Sequence, residues 1–379
     1  MSRQVPQVDP EGLLEYSVVF NDRSLNHMST VFQQVMRDIS ATLKRTYQAD
    51  GAVVVPGGGS FGMEAVARQF AHDRHCLVIR NGWFSYRWSQ IFDMGRIPAR
   101  ATVMKAAPVS DGHQAAYAPA SVDEVVATIL SEKPEVVFAP HVETASGMVL
   151  PDNYLKAIGD AVSQIGGLFV LDCVASGALW VDMKACGVDV LISAPQKGWS
   201  ASPCAALIGL GSRALERIEQ TTSSSFAADL RKWLNIMRAY EDGGHAYHAT
   251  MPTDTLAVLR DAMKETERTG LGTLKARQWD LGNQVRALFN EAGFRSVAAE
   301  GFKAPGVVVL HTDNIDIHNT RLFREQGIQT AAGVPMMCDE PENFRSFRVG
   351  LFGLEKLNNI DRTVDNLRQA LAAIGPTDG

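Results

Sequence analysis

The sequence predicts an α/β protein, with a large and mostly parallel sheet followed by a smaller α+β unit. Two observations lead there. Short apolar runs that end in glycine, aromatic or polar residues alternate with helical stretches up to about Leu210. Beyond that point the pattern changes to successive amphipathic helices. Strands alternating with helices are the mark of a parallel sheet covered on its faces.

Composition sets the outer bounds. A chain of 379 residues with 46% hydrophobic content buries a full core and forms two domains, or one large domain with an appendage. The formal net charge is -6, and no Lys/Arg cluster interrupts it, so no nucleic-acid partner is expected. The five cysteines, Cys76, Cys173, Cys186, Cys204 and Cys338, are odd in number and form no CxxC pair. That argues for a reducing compartment and against a disulfide framework or a structural zinc site. The N-terminus MSRQVPQVDPEGLLEY has no apolar targeting core, and no stretch reaches membrane-spanning length. A cytoplasmic protein with no membrane partner is the expectation.

Taken in order, residues 21–50 begin irregularly and become a helix whose face is Val31, Phe32, Val35, Met36 and Ile39. A strand at Ala52 to Val55 runs into Pro56, three glycines and Ser60, and a helix follows over Met63 to Phe70. Strand, glycine turn and helix aim backbone amides and a positive helix end at a phosphate. A simple tight turn explains the same glycines, and neither a Walker A nor a GxGxxG pattern is present. The strand Cys76 to Ile79 ends at Arg80, and Trp83, Phe84 and Tyr86 follow, where an aromatic could stack on a flat ring or pack in the core. A strand is expected at Ala101 to Met104, and a helix from Ser121 to Lys133 capped by Ser121. The strand Val136 to Ala139 runs into PHVETASG, whose small hydroxyls either donate to a ligand oxygen or cap turns.

Two further strand ends matter most. Leu168 to Leu171 ends in Asp172, and Val188 to Ile192 leads into SAPQKGWSASP with Lys197. Ligands of open α/β sheets collect outside the strand carboxyl ends. A lysine there can hold an aldehyde as a Schiff base, and a buried carboxylate can keep a pyridine nitrogen protonated. The two residues alone also fit an ordinary loop lysine and a turn aspartate. Helices follow at Arg213 to Gln220, Leu230 to Tyr240, Thr255 to Glu265 and Leu271 to Ala292, then strands at Val307 to His311 and Phe347 to Leu351. The expected division is an N-terminal segment (1–20), a large domain (21–268) and a small domain (269–379).

From Ala52 to Gly353 these motifs, in this order, resemble the class V aminotransferases, fold-type I pyridoxal 5'-phosphate (PLP) enzymes that include alanine-glyoxylate and serine-pyruvate aminotransferases. The resemblance implies that Lys197 is the Schiff-base lysine, Gln196 a phosphate contact and Asp172 the partner of the pyridine nitrogen. It implies a phosphate cradle at Gly58, Gly59 and Ser60, a ring-stacking Phe84, and Thr144 on the ring hydroxyl. Tyr247 and Thr250 match the pair that reaches the phosphate of a neighbouring subunit, which implies a homodimer with shared sites. Arg348, in FRVGLFG, matches the arginine that clamps a substrate carboxylate. The implied reaction moves an amino group from an amino acid to a 2-oxo acid, such as pyruvate or glyoxylate, by a ping-pong mechanism. The alternative on the same fold is a lyase or a cysteine desulfurase using Cys338. The chain departs from the family pattern at EYSVVFNDRSLNHMS in place of a GPGP-like opening, at PGGGS, and at Ser85 after the stacking aromatic.

Overall fold

A computed structural model of the chain describes residues 13–375. Of the expected N-terminal segment 1–20, the first twelve residues lie outside the described residues. Helix α1 (Thr30–Tyr47) starts where the Ser29 hydroxyl accepts from the Phe32 amide at 3.1 Å, satisfying an amide that has no intrahelical partner. Its face Phe32, Val35, Met36, Ile39 and Leu43 is buried.

An alternation follows: β1 (Gly51–Pro56), α2 (Gly59–Phe70), β2 (His75–Arg80), α3 (Trp83–Gly95) and β3 (Arg100–Lys105). A two-residue pair, β4 (Ala107–Pro108) and β5 (Tyr117–Ala118), precedes α4 (Val122–Glu132) and β6 (Val136–Pro140). A second such pair, β7 (Val142–Glu143) and β8 (Met148–Val149), precedes α5 (Asp152–Gln164), β9 (Leu168–Asp172), α6 (Met183–Cys186), β10 (Val190–Ser193) and β11 (Ala205–Leu210).

Seven strands form one sheet in the order β1-β11-β10-β9-β6-β2-β3. Strands β3, β2, β6, β9 and β10 pair in parallel, whereas β11 is antiparallel to both its neighbours, β10 and β1. The two reversals cancel, so β1 points the same way as the parallel five. Six strands therefore present their carboxyl ends along one edge, and the segments after β1, β2, β6, β9 and β10 meet there.

Among the longer elements, β11, α3 and α5 go beyond the sequence expectation. Strand β11 is buried at all six positions and rich in alanine and glycine. It therefore shows neither alternation nor a β-branched run. Helix α3 was concealed by its aromatic density; α5, whose buried Tyr154, Leu155, Ile158, Ala161 and Val162 recur at three-to-four spacing, was not among the expected helices. Helix α2 begins at Gly59, four residues before the expected Met63, because Gly58 enters it in an extended conformation.

Helices α7 (Ser212–Glu219), α8 (Leu230–Glu241), α9 (Thr253–Thr269) and α10 (Leu271–Glu291) come next. Gly270, at φ +95, separates the last two. The remaining elements are β12 (Val307–His311), α11 (Ile315–His318), α12 (Arg321–Glu325), β13 (Ala331–Ala332), β14 (Ser346–Gly350), α13 (Leu354–Leu357) and α14 (Ile360–Ile374). β12, β14 and β13 form an antiparallel sheet in that order. Its core joins Phe347 and Val349 to Leu281, Val285 and Phe289 of α10 and to Val364 and Leu367 of α14.

An ion pair between buried Asp189 and the partly exposed Arg213 anchors the starts of β9 and β10. Arg213 donates to both Asp189 oxygens at 2.7 and 2.8 Å, and the Phe169 amide donates to the same carboxylate at 2.7 Å. Among the described residues, no helix is long and apolar enough to cross a membrane. All five cysteines are buried and unpaired.

Candidate active site

Asp172 closes β9 in register with Pro140 of β6 and Ile192 of β10. Its Oδ1 accepts from the Val174 amide at 2.9 Å. Burial lifts its carboxyl to about 6 against the pull of that hydrogen bond. Lys197 lies five residues past Ile192, in the loop 194–204 that turns β10 into antiparallel β11. This loop presses on the segment after β9, since a Cβ at Gly198 would sit 2.1 Å from the Gly177 carbonyl oxygen. Lys197 Nζ lies 5.0 Å from the centroid of the Phe352 ring. Lys197 makes no ion pair among the described residues. Burial, and then the Arg348 charge, lower its pKa.

The glycine turn closes on the same place. A Cβ at Gly59 would meet Val174 Cγ2 at 2.6 Å, so only glycine lets α2 start this close to the Asp172 segment. A Cβ at Gly58 would meet nothing within 4 Å, and no side chain caps α2. The Phe61 and Gly62 amides donate to the Gly58 carbonyl, whereas those of Gly59 and Ser60 have no acceptor among the described residues. Arg87 Nη1 donates to Ser60 Oγ at 2.8 Å. Beside Lys197, Gln196 Oε1 is buried with no hydrogen-bond partner.

Phe84 is the second residue of α3, and its ring lies 5.2 Å from the Arg87 guanidinium carbon and 5.6 Å from that of Arg348. The start of α3 is held by a residue the sequence reading missed. Glu143, fully buried, accepts from the amides of Phe84 (3.2 Å), Ser85 (2.8 Å) and Ala145 (3.0 Å) and from the Ser85 hydroxyl (2.7 Å). A carboxylate at a helix N-terminus meets free amides and the positive end of the dipole. Burial nevertheless raises its pKa, against those four hydrogen bonds. Glu143 is the sole acidic residue between Glu135 and Asp152, a signal present in the sequence. Its partner helix, about 60 residues earlier, was not legible. Ser85, the departure from the family glycine, belongs to the same cap: its hydroxyl also accepts from the Asn81 and Gly82 amides. Thr144 follows Glu143, half-buried in the turn between β7 and β8.

Arg348 comes from the centre of β14, between Val309 of β12 and Ala331 of β13. Its Nε donates to the Ala332 carbonyl at 2.8 Å, and it forms no ion pair among the described residues. Phe352, two residues after β14, brings the same segment to Lys197. Tyr247 and Thr250 stand apart from the cluster on an exposed loop, where their hydroxyls lie 3.1 Å from each other.

The contacts form one chain: Asp172 to Val174, Val174 to Gly59, Ser60 to Arg87, Arg87 to Phe84, and Phe84 to Arg348, whose charge is felt at Lys197. These residues fit PLP. An amine could take the aldehyde and a buried carboxyl could meet the ring nitrogen. An uncapped helix start and the side-chain NH2 of Gln196 could donate to the phosphate. A separate cavity of about 520 Å³, lined by Ile328, Thr330, Val349, Glu355, Lys356 and Arg362, includes none of them.

Residues 11–353 match the family described as Aminotransferase class-V. Alanine–glyoxylate aminotransferase 1 of Saccharomyces cerevisiae is 29% identical over 71% of this chain and 70% of its own. The soluble hydrogenase small subunit of a Synechococcus species is 25% identical over 98% of this chain and 93% of its own. The crystal structure of alanine–glyoxylate aminotransferase from Nostoc sp. shares the fold at a TM-score of 0.77, with 23% identity, covering 92% of this chain and 89% of that one. With the family matched over nearly its whole length, the chain belongs to the class-V aminotransferases, which are PLP-dependent enzymes.

Proposed function

We propose that this aminotransferase moves the amino group of an amino acid to a short 2-oxo acid, glyoxylate or pyruvate, in a ping-pong cycle. The observation that carries the proposal is a half-buried Arg348 without an ion pair, close enough to Lys197 to lower its pKa. A guanidinium in that state is suited to a substrate carboxylate, whose two oxygens match its planar fork. Held there, an amino acid presents its amine and Cα towards Lys197. Glyoxylate as acceptor rests on the names of the relatives above.

When bound, PLP supplies an electron sink for the charge left on the substrate Cα. Lys197 is the amine that would hold its aldehyde. Its free amine would serve as the base that moves a proton from the substrate Cα; a lowered pKa favours the neutral form this role needs. Asp172 keeps the ring nitrogen protonated. The amides of Gly58 and Gly59, the Ser60 hydroxyl and Gln196 hold the phosphate, Phe84 covers the ring, and Thr144 bonds the ring hydroxyl. Tyr247 and Thr250 reach the phosphate of a second subunit, so the working form is a homodimer. Exposed apolar side chains at Leu14 (78%), Tyr16 (88%) and Val18 (102%) support a covered N-terminal region. The division into large (21–268) and small (269–379) domains belongs to the same proposal, with the break in the helices at Gly270 in its favour.

The desulfurase alternative lacks a ready nucleophile. The Cys338 thiol is buried, donates to the Arg80 carbonyl at 3.4 Å, and is pushed up to about 12 by burial. A panel of amino donors against pyruvate, glyoxylate and 2-oxoglutarate, followed through the cofactor's visible absorption, tests the proposal. The band is expected to fall with a donor and return with an acceptor. Repeated turnover of a donor, beyond one equivalent per site and without any acceptor, would indicate a lyase and refute amino transfer.

A further inference from the structure

Arg87 has no role in the reading above, yet its surroundings are specific. It lies one turn into α3, is half-buried, and makes no ion pair among the described residues. Its contacts are the Ser60 hydroxyl at 2.8 Å and the Phe84 ring at 5.2 Å. The carboxyl that feels its charge is Asp172, which the ring nitrogen would engage, so no anion among the described residues is in contact with the guanidinium itself. The hydroxyl it donates to stands in the first turn of α2, where no side chain caps the helix and Gly58 faces open space. Because Ser60 Oγ accepts from Arg87, its own proton is free to point towards an acceptor.

Charge balance gives the same direction. A helix start offers about half a positive charge, whereas a phosphomonoester carries close to two negative charges. Lys197 is committed to the aldehyde, and Arg348 to the substrate carboxylate, with its Nε on the Ala332 carbonyl. We propose that Arg87 is the same-subunit cation that neutralises the cofactor phosphate at the start of α2, with Ser60 linking the guanidinium to the helix. The inference rests on the PLP reading above.

The test compares PLP with pyridoxal, which lacks the phosphate, by titrating cofactor-free wild type, Arg87→Gln and Arg87→Lys and following absorbance and tryptophan fluorescence. Arg87→Gln is expected to weaken PLP binding by about 10- to 100-fold, the usual value of a charge-assisted hydrogen bond. Pyridoxal binding should stay within about threefold of wild type, since no phosphate contact is lost. Arg87→Lys should recover part of the PLP affinity, because the charge remains and the fork does not. Unchanged PLP affinity in Arg87→Gln, or equal weakening of both ligands, overturns the proposal. Wild-type protein that binds neither ligand overturns the PLP reading itself, an outcome separate from an Arg87→Gln variant that matches wild type.

Discussion

Replacing Asp172 with Asn removes a charge and keeps Oδ1 as the acceptor for the Val174 amide. In the cofactor-free protein, burial raises the Asp172 carboxyl from 3.8 to about 6. A shift of about two units, at about 1.4 kcal/mol each, amounts to roughly 3 kcal/mol. The native state thus keeps a proton that the unfolded chain has already lost. Its stabilising contribution is full below about pH 4 and disappears as pH rises through about 6. Asparagine never ionises, so cofactor-free Asp172→Asn should become roughly 2–3 kcal/mol more stable than wild type by about pH 7. Urea unfolding of both proteins across that range measures the difference. With PLP added, the order should narrow or reverse, because only the carboxylate gains a protonated ring nitrogen as a partner, and amino transfer by the variant should be strongly reduced. Parallel pH profiles for the two cofactor-free proteins would refute the burial argument. Wild-type turnover in the variant would refute the assignment of Asp172 to the ring nitrogen.

Arg348→Gln should raise KM for amino acid substrates about 10- to 100-fold while the visible absorbance of the cofactor persists; a KM unchanged across the donor panel would remove the carboxylate clamp. Glu143→Gln should cost roughly 2–4 kcal/mol in urea unfolding, since an amide cannot accept all four donors that converge on the carboxylate. A variant as stable as wild type would show that the cap on α3 is dispensable. In the cofactor-free protein, Lys197 should react with an amine-directed reagent at lower pH than the exposed lysines, because its pKa is lowered. Peptide mapping reads this, and labelling that tracks the surface lysines would contradict it.

The candidate site was legible in the sequence wherever its residues lie at strand ends. Asp172, Lys197, Gly58 to Ser60 and Phe84 each follow a short apolar run, and a strand's carboxyl end fixes where the next few residues stand. Arg348 and Thr144 were reached through the resemblance, because neither one's immediate surroundings state its task. Glu143 and Arg87 were missed for a common reason. Each is an ordinary charged residue in its own segment and acquires meaning from a partner 58 or 27 positions away.

Strand β11 shows the limit on the fold. Its buried, small-residue run carries no period that separates strand from helix, and only its placement between β1 and β10 identifies it. The order of residues by itself determined the alternation of strands and helices, the strand-end positions of the amine and the acid, and the family. Tertiary structure alone decided that β11 runs backwards, that the Glu143 carboxylate anchors α3, and that Arg87 and Arg348 both approach Phe84. Local sequence sets backbone conformation over a few residues, whereas charges, caps and ring contacts depend on distances that exist only after distant segments pack together.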